Sequence, residues 1–159
     1  RINLKIYSKN HYLPYNEANN QKNKNYLHIH IDERWEEFNN IFFVNFVDKI
    51  NKLSNTNKII ITSNFNGNKF YFNIRDKFIS NDNFLFKDKI SIKDLLNIIF
   101  YSQTVLSSHS GFIVHAAAAF QKNIVDLVPE NSNNELDRWV PYNISYKRFN
   151  IENFSKLFI

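Results

Sequence analysis

The chain contains no cysteine and only two glycines in 159 residues. The first absence removes disulfides and thiolate zinc sites. No apolar run approaches the roughly 20 residues needed to cross a bilayer. The formal charge of +5 suits an anionic ligand, but lysine is spread along the chain and forms no dense block. A nucleic-acid surface normally gathers its cations into a stripe, so no nucleic-acid partner is expected. There is no Walker loop and no G-x-G-x-x-G, so ATPase and dinucleotide readings lack their key residues. A hydrolase built on Ser108 or Ser110 with a histidine lacks its G-x-S-x-G elbow.

What is present describes a globular chain. Hydrophobic residues make up 43% and aromatics 16%, enough for one domain with a real core. The reading is a single domain over residues 1–159, with an irregular, polar lead-in over 1–25. The bias toward Asn, Lys, Ile, Phe and Tyr is what AT-rich codons produce, so those residues are not read as functional. The first residue is Arg1, and a longer parent chain is expected.

Periodicity divides the chain into short elements. "YLHIHID", Tyr26 to Asp32, alternates Leu27, Ile29 and Ile31 with His28 and His30, which is strand period. Phe38, Phe42, Phe46, Ile50 and Leu53 fall on one helical face, predicting a helix over Trp35 to Leu53 with Glu36 and Glu37 in its first turn. "KIIITSN" reads as a buried strand. Residues 66–78 stay open between a hairpin at Asn66-Gly67 and a helix through Phe70, Ile74 and Phe78. "NFLF" reads as a short strand. "SIKDLLNIIFYSQ" is a helix opened by Ser91 and Asp94. "TVLS" and "NIVDLV" are strands, and "NIENFSKLF" a last helix. Short apolar strands alternating with helices predict an α/β fold: a Rossmann-like open parallel sheet with helices on both faces. Such sheets bind ligands beyond the carboxyl ends of their strands. The candidates there are Asp32, Glu33 and Arg34; Thr62, Ser63 and Asn64; Ser107 to Gly111; and Pro129 and Glu130.

One stretch, "SSHSGFIVHAAAAF" from Ser107 to Phe120, concentrates the chain's small residues. If a strand precedes it and a helix follows, "SHSG" is the turn between them. Gly111 lets backbone come close to a ligand. The helix start offers free amide hydrogens and a positive dipole end, a setting for phosphate. Ser108 and Ser110 can cap that helix or donate to phosphate oxygens. The alanines let the helix lie close on the sheet. The bland alternative is a turn glycine followed by packing alanines.

Taken together, "HIHIDERWEEF", "IIITSN", "ISIKDLLNIIFYSQTVLSSHSGFIVHAAAAF", "NIVDLV" and "RWVPYN" resemble the C-terminal, donor-binding half of the GT-B glycosyltransferases. The match is to the heptosyltransferase-like family over residues 27–145. Fucosyltransferase-like GT-B enzymes are the runner-up, with a "His-x-Arg" strand end that "HIDERW" offsets. The resemblance implies that Gly111 and His115 match the glycine and histidine of a diphosphate-binding turn, and Ser110 the residue before that glycine. Arg34 matches a basic residue that neutralises donor phosphates, and Trp35 the aromatic after it. Two departures stand out. His109 occupies the place of an aspartate, and Gly111 to His115 is one residue longer than the family spacing.

The site expected on this basis binds donor phosphates through Arg34, Ser108, His109, Ser110, Gly111 and His115. The nucleotide or its ribose falls to Ser63, Asn64 and Glu130. The competing reading of Arg34 is a surface residue paired with Glu33 or Glu37, and of His30 a satisfied core histidine. His28 and His30 lie two apart on one strand face, but no carboxylate pair joins them, so neither a metal nor another cofactor is expected. The resemblance implies a nucleotide-sugar donor and a glycan or glycolipid acceptor held by an N-terminal domain. It implies a cytoplasmic parent in polysaccharide biosynthesis, with peripheral association at the inner face of the membrane left open. The alternative is a non-catalytic α/β nucleotide- or glycan-binding module that has lost turnover.

Overall fold

The computed structural model describes residues 26–63, 68–128, 140–141 and 145–150. In chain order these form β1 (Tyr26–His30), a 3-10 helix (Glu33–Glu37), α1 (Asn40–Ser54), β2 (Lys58–Ser63), α2 (Lys69–Phe78) and β3 (Phe84–Asp88). Then come α3 (Ile92–Tyr101), β4 (Ser102–Ser107), α4 (Gly111–Ala119), β5 (Asn123–Val128) and β6 (Tyr146–Asn150). The six strands make one sheet in the order β3-β2-β1-β4-β5-β6, and every pairing is parallel. This is the open, Rossmann-like α/β sheet that the strand and helix pattern predicts. The strand order reverses between β1 and β4, so their carboxyl ends border the crevice where such sheets take ligands.

Strand parity sorts the core into two layers. Leu27, Ile29 and Ile31 point with Ile59, Ile61, Leu106, Val125 and Leu127 into the layer filled by the phenylalanines of α1 and α2. Val105 and Ile124 face the other way, under Leu95 and Ile99 of α3 and Ile113, Val114 and Ala116–Ala118 of α4. The alanines answer their sequence puzzle here. Ala116, Ala117 and Ala118 are all buried, and side chains this small bring the helix close to the strands.

Some boundaries differ from the periodicity, for physical reasons. The helix predicted over Trp35 to Leu53 is two pieces. Phe38 is extended, at φ −78° and ψ 135°, and the Asn39 side chain accepts from the Phe42 amide at 2.8 Å to start α1 afresh. Glu36 and Glu37 therefore lie in the 3-10 helix, and the first turn of α1 holds no acid. Residues 69–78 are helical. Asn68 caps Tyr71 at 3.0 Å, and Phe70, Ile74 and Phe78 are all buried. Ser91 opens α3 as expected, accepting from the Asp94 amide and donating to its carboxylate. β4 begins two residues before "TVLS". β6 went unanticipated. The lead-in over 1–25 and the last helix lie outside the described residues, as do Asn64, Asn66, Gly67, Pro129 and Glu130. Among the described residues no helix is long and apolar enough to cross a membrane.

Candidate functional site

Two strand ends build the site. After β1 the chain runs through Ile31 and Asp32 into the 3-10 helix. The Asp32 carboxylate accepts from the Arg34 amide at 3.1 Å, and its carbonyl accepts from the side chain of buried Asn68 at 2.6 Å. Trp35 is fully buried and meets the rings of Phe38 and Phe46 edge to face and that of Phe70 at a tilt. The aromatic after the arginine thus serves as an anchor in the core. It fixes the 3-10 helix, and neighbouring Arg34 projects outward. Burial raises the Asp32 carboxyl to about 6, against the lowering pull of the Arg34 amide.

After β4 the turn Ser108–Ser110 leads into α4. His109 adopts a left-handed backbone conformation, φ 49°, uncommon for a residue with a side chain. Its position is fixed at three atoms. The amide donates to Asp126 Oδ1 at 2.6 Å, ring Nδ1 lies 2.7 Å from Asp126 Oδ2, and the carbonyl accepts from Arg34 Nη1. Arg34 therefore bridges the switch point from the β1 side to the β4 side. No ion pair joins it to Glu33 or Glu37 among the described residues.

Asp126 belongs to β5 and is fully buried. It also accepts from the Tyr146 hydroxyl of β6 at 2.6 Å. Register explains the meeting: Ser107 pairs with Asp126, and Asp126 with Arg148, two residues beyond Tyr146. Burial first, and then Asp126, push the Tyr146 phenol above its ordinary range. The Arg148 guanidinium sits over the Tyr146 ring at 5.9 Å. Sequence reasoning missed both Asp126 and Tyr146. For Asp126 a signal existed, a lone acid inside the apolar strand "NIVDLV". Tyr146 offered none.

The start of α4 differs from the other helix starts. Asp32, Asn39, Asn68 and Ser91 each cap their helix with a side chain. Ser110 occupies the corresponding position of α4 and makes no side-chain capping bond, so of the two roles open to it, capping the helix or donating to a phosphate, the first is not taken. Ser108 is buried, Gly111 and Phe112 are exposed, and among the described residues nothing lies within 4 Å of where a Cβ on Gly111 would stand. Open space beside the glycine and an uncapped helix start leave room for an anion to approach the backbone. His115 is exposed one turn further on. Ser63 is fully buried, and its hydroxyl has no hydrogen-bond partner among the described residues.

The histidines of β1 have another role. His28 Nε2 and His30 Nδ1 both meet Thr62 Oγ1, at 2.8 and 2.9 Å. One hydroxyl hydrogen serves one ring, so the other ring must donate to the oxygen. Burial lowers both rings, His28 to about 3 and His30 to about 4. They are neutral core groups, and Thr62 is their buried partner.

No protein-family model matches the sequence, and no curated protein matches it. Solved structures share its fold, two of them enzymes that handle nucleotide-linked sugars or were solved with a nucleotide. The UDP-GlcNAc 2-epimerase of Methanocaldococcus jannaschii superposes with a TM-score of 0.60 at 17% identity, over 84% of this chain and 38% of that one. The Escherichia coli heptosyltransferase WaaC, solved with ADP, gives 0.56 at 11% identity, over 84% of this chain and 43% of that one. Both are GT-B fold enzymes. The chain thus has the Rossmann-like fold found in GT-B enzymes, and it spans about two fifths of the length of each.

Proposed function

We propose that this chain is the sugar-nucleotide-binding domain of a glycosyltransferase. The donor diphosphate lies at the switch point between β1 and β4. There it meets the amide hydrogens at the start of α4, the Arg34 guanidinium, and the turn Ser108–Gly111. One observation carries this reading: Arg34 reaches from the β1 side to the carbonyl of His109, so a cation stands beside an uncapped helix start. A guanidinium has five donor hydrogens and spends one of its nitrogens here, leaving others for phosphate oxygens. Its charge and the helix dipole stabilise negative charge that builds on the diphosphate as the bond to the sugar breaks. Ser63, Asn64 and Glu130 are assigned to the nucleoside, and His115 to the outer edge of the phosphate site. The acceptor, a glycan or glycolipid, belongs to a further domain of the parent chain.

The replacement of aspartate by His109 favours a second reading, a binding module of the same fold without turnover. Calorimetric titration with UDP, GDP and ADP tests the shared premise. At least one should bind, and Arg34→Ala should weaken it by roughly 10–100-fold, the worth of a charged hydrogen bond. Absence of binding by all three, or an unchanged affinity in the variant, overturns the assignment. Transfer or hydrolysis of a nucleotide sugar by the parent chain then selects the enzyme, and binding without turnover selects the module.

A further inference from the structure

The network behind His109 goes beyond a phosphate-binding turn. Asp126 Oδ1 accepts from the His109 amide, and Oδ2 meets both the ring Nδ1 and the Tyr146 hydroxyl. The amide and the phenol donate, and a carboxylate only accepts, so Nδ1 carries the ring hydrogen. With Nδ1 bearing that hydrogen, Nε2 is the ring atom that can gain or lose a proton. Backbone N, backbone O and Nδ1 of His109 all have partners, while Nε2 has none among the described residues. The side chain retains 14% exposure.

A lone pair does not attract a phosphate oxygen. An anion next to Nε2 is held only when that nitrogen gains a proton, and the resulting imidazolium is stabilised by the carboxylate at Nδ1. Among the described residues, the other charged or titratable groups on the elements that meet at the turn are Arg34 of the 3-10 helix, with Asp32 and Glu33 preceding it, His115 on α4, and Tyr146 and Arg148 on β6. Among the described residues, the charged group hydrogen-bonded to the ring is the carboxylate of Asp126.

We propose that Asp126 is a positioning residue that makes His109 a proton-coupled ligand for the diphosphate: binding the anion takes up a proton at His109 Nε2. This rests on the sugar-nucleotide reading above and names the group that couples it to pH.

The test is calorimetry with UDP-glucose, GDP-glucose and ADP-glucose in buffers of different ionisation enthalpy. A diphosphate diester lacks the terminal-phosphate ionisation near pH 6, so any proton taken up belongs to the protein. The native chain should show uptake, with affinity falling by up to about tenfold per pH unit on the alkaline side. His109→Asn is the clean variant. Asparagine tolerates the left-handed backbone, its amide can replace Nδ1 as donor to Asp126, and it has no counterpart of Nε2. It should bind more weakly, without uptake and with a flat pH profile. Asp126→Asn should move uptake to lower pH. Should that variant fail to fold, Tyr146→Phe removes a competing donor from Oδ2 and should extend uptake to higher pH.

Native binding without proton uptake overturns the proposal and leaves the sugar-nucleotide reading intact, as does undiminished uptake in His109→Asn. A native profile in whichever of the Asp126 and Tyr146 variants folds overturns the positioning role of Asp126. Failure of all three nucleotide sugars to bind overturns the underlying reading and this proposal with it.

Discussion

The two faces of the sheet are built on opposite principles. The face under α1 and α2 is filled by large aromatics: Trp35, Phe38, Phe42, Phe46 and Phe70 interlock with ring centroids 4.5–6.4 Å apart. The face under α3 and α4 is filled by Leu, Ile, Val and Ala. It also carries a buried polar row at the strand ends, with His28 and His30 bonded to Thr62 and Asp126 bonded to His109. The aromatic layer holds the sheet by apolar area, and burial there leaves Trp35 Nε1 without a hydrogen-bond partner among the described residues. The small-residue layer lets backbone approach closely, and on that face His28, His30, Thr62, Asp126 and His109 form buried or part-buried hydrogen bonds. Both faces are packed, and the polar groups of the candidate site lie with the small-residue face.

The largest expected effects separate these roles. Phe46→Ala opens a cavity in the aromatic layer and should cost about 3–5 kcal/mol, measured by denaturant unfolding. Nucleotide affinity of the fraction that remains folded should not change. Ala117→Leu overfills the other layer and should cost about 1–3 kcal/mol. Because it lifts α4 from the sheet, it should also weaken nucleotide binding. A loss of affinity in the Phe46 variant, or none in the Ala117 variant, would erase the distinction between the faces.

Acid should unfold the protein through the polar row. The folded-state values of His28 and His30 are lowered to about 3 and about 4, so their stabilising contribution is complete above the unfolded value near 6.5. It is lost as the pH falls through that value toward the folded ones. Asp32 has the opposite sign. Its folded value is raised to about 6, so it disfavours folding as the pH rises from about 4 to 6. Two histidine protons against one carboxyl proton leave a net of about one, or roughly 1.4 kcal/mol of stability lost per pH unit between about pH 6 and 4. Thr62→Val strips both rings of their shared partner and should cost about 1–3 kcal/mol at neutral pH. A flat stability profile in this range would mean that the rings are not held neutral.

The aromatic face was the legible one. Phe42, Phe46 and Ile50 declare themselves by spacing alone, because a helix that buries one stripe must repeat apolar residues at that interval. The sheet's parallel order followed from alternating short strands and helices. Spacing did not reveal the interruption at Asn39, where a side chain that bonds backbone overrides a continuous stripe. The alanine-rich turn was legible as a place of close approach, and Arg34 as a cation near it. Their direct contact depends on the strand order, which brings together residues 75 apart in the chain. Trp35 illustrates the limit of resemblance: it follows the cation in sequence, yet its ring anchors the core. β6 escaped because "YKRFN" mixes charge and aromatics without clean alternation, and with it escaped Tyr146.

The smallest effect lies at the helix starts, where the same chemistry serves two ends. Asn39 accepts from the Phe42 amide, so Asn39→Ala leaves that amide without a partner and should cost about 1 kcal/mol. Ser110 holds the same position before α4 and makes no such bond. Ser110→Ala should therefore leave stability without ligand within about 0.5 kcal/mol of the native chain. The contrast matters because a helix start satisfied by its own cap has less to offer an anion. If Ser110→Ala proved as costly as Asn39→Ala, the hydroxyl would be capping α4 in solution, and a diphosphate would have to displace it before reaching the amides.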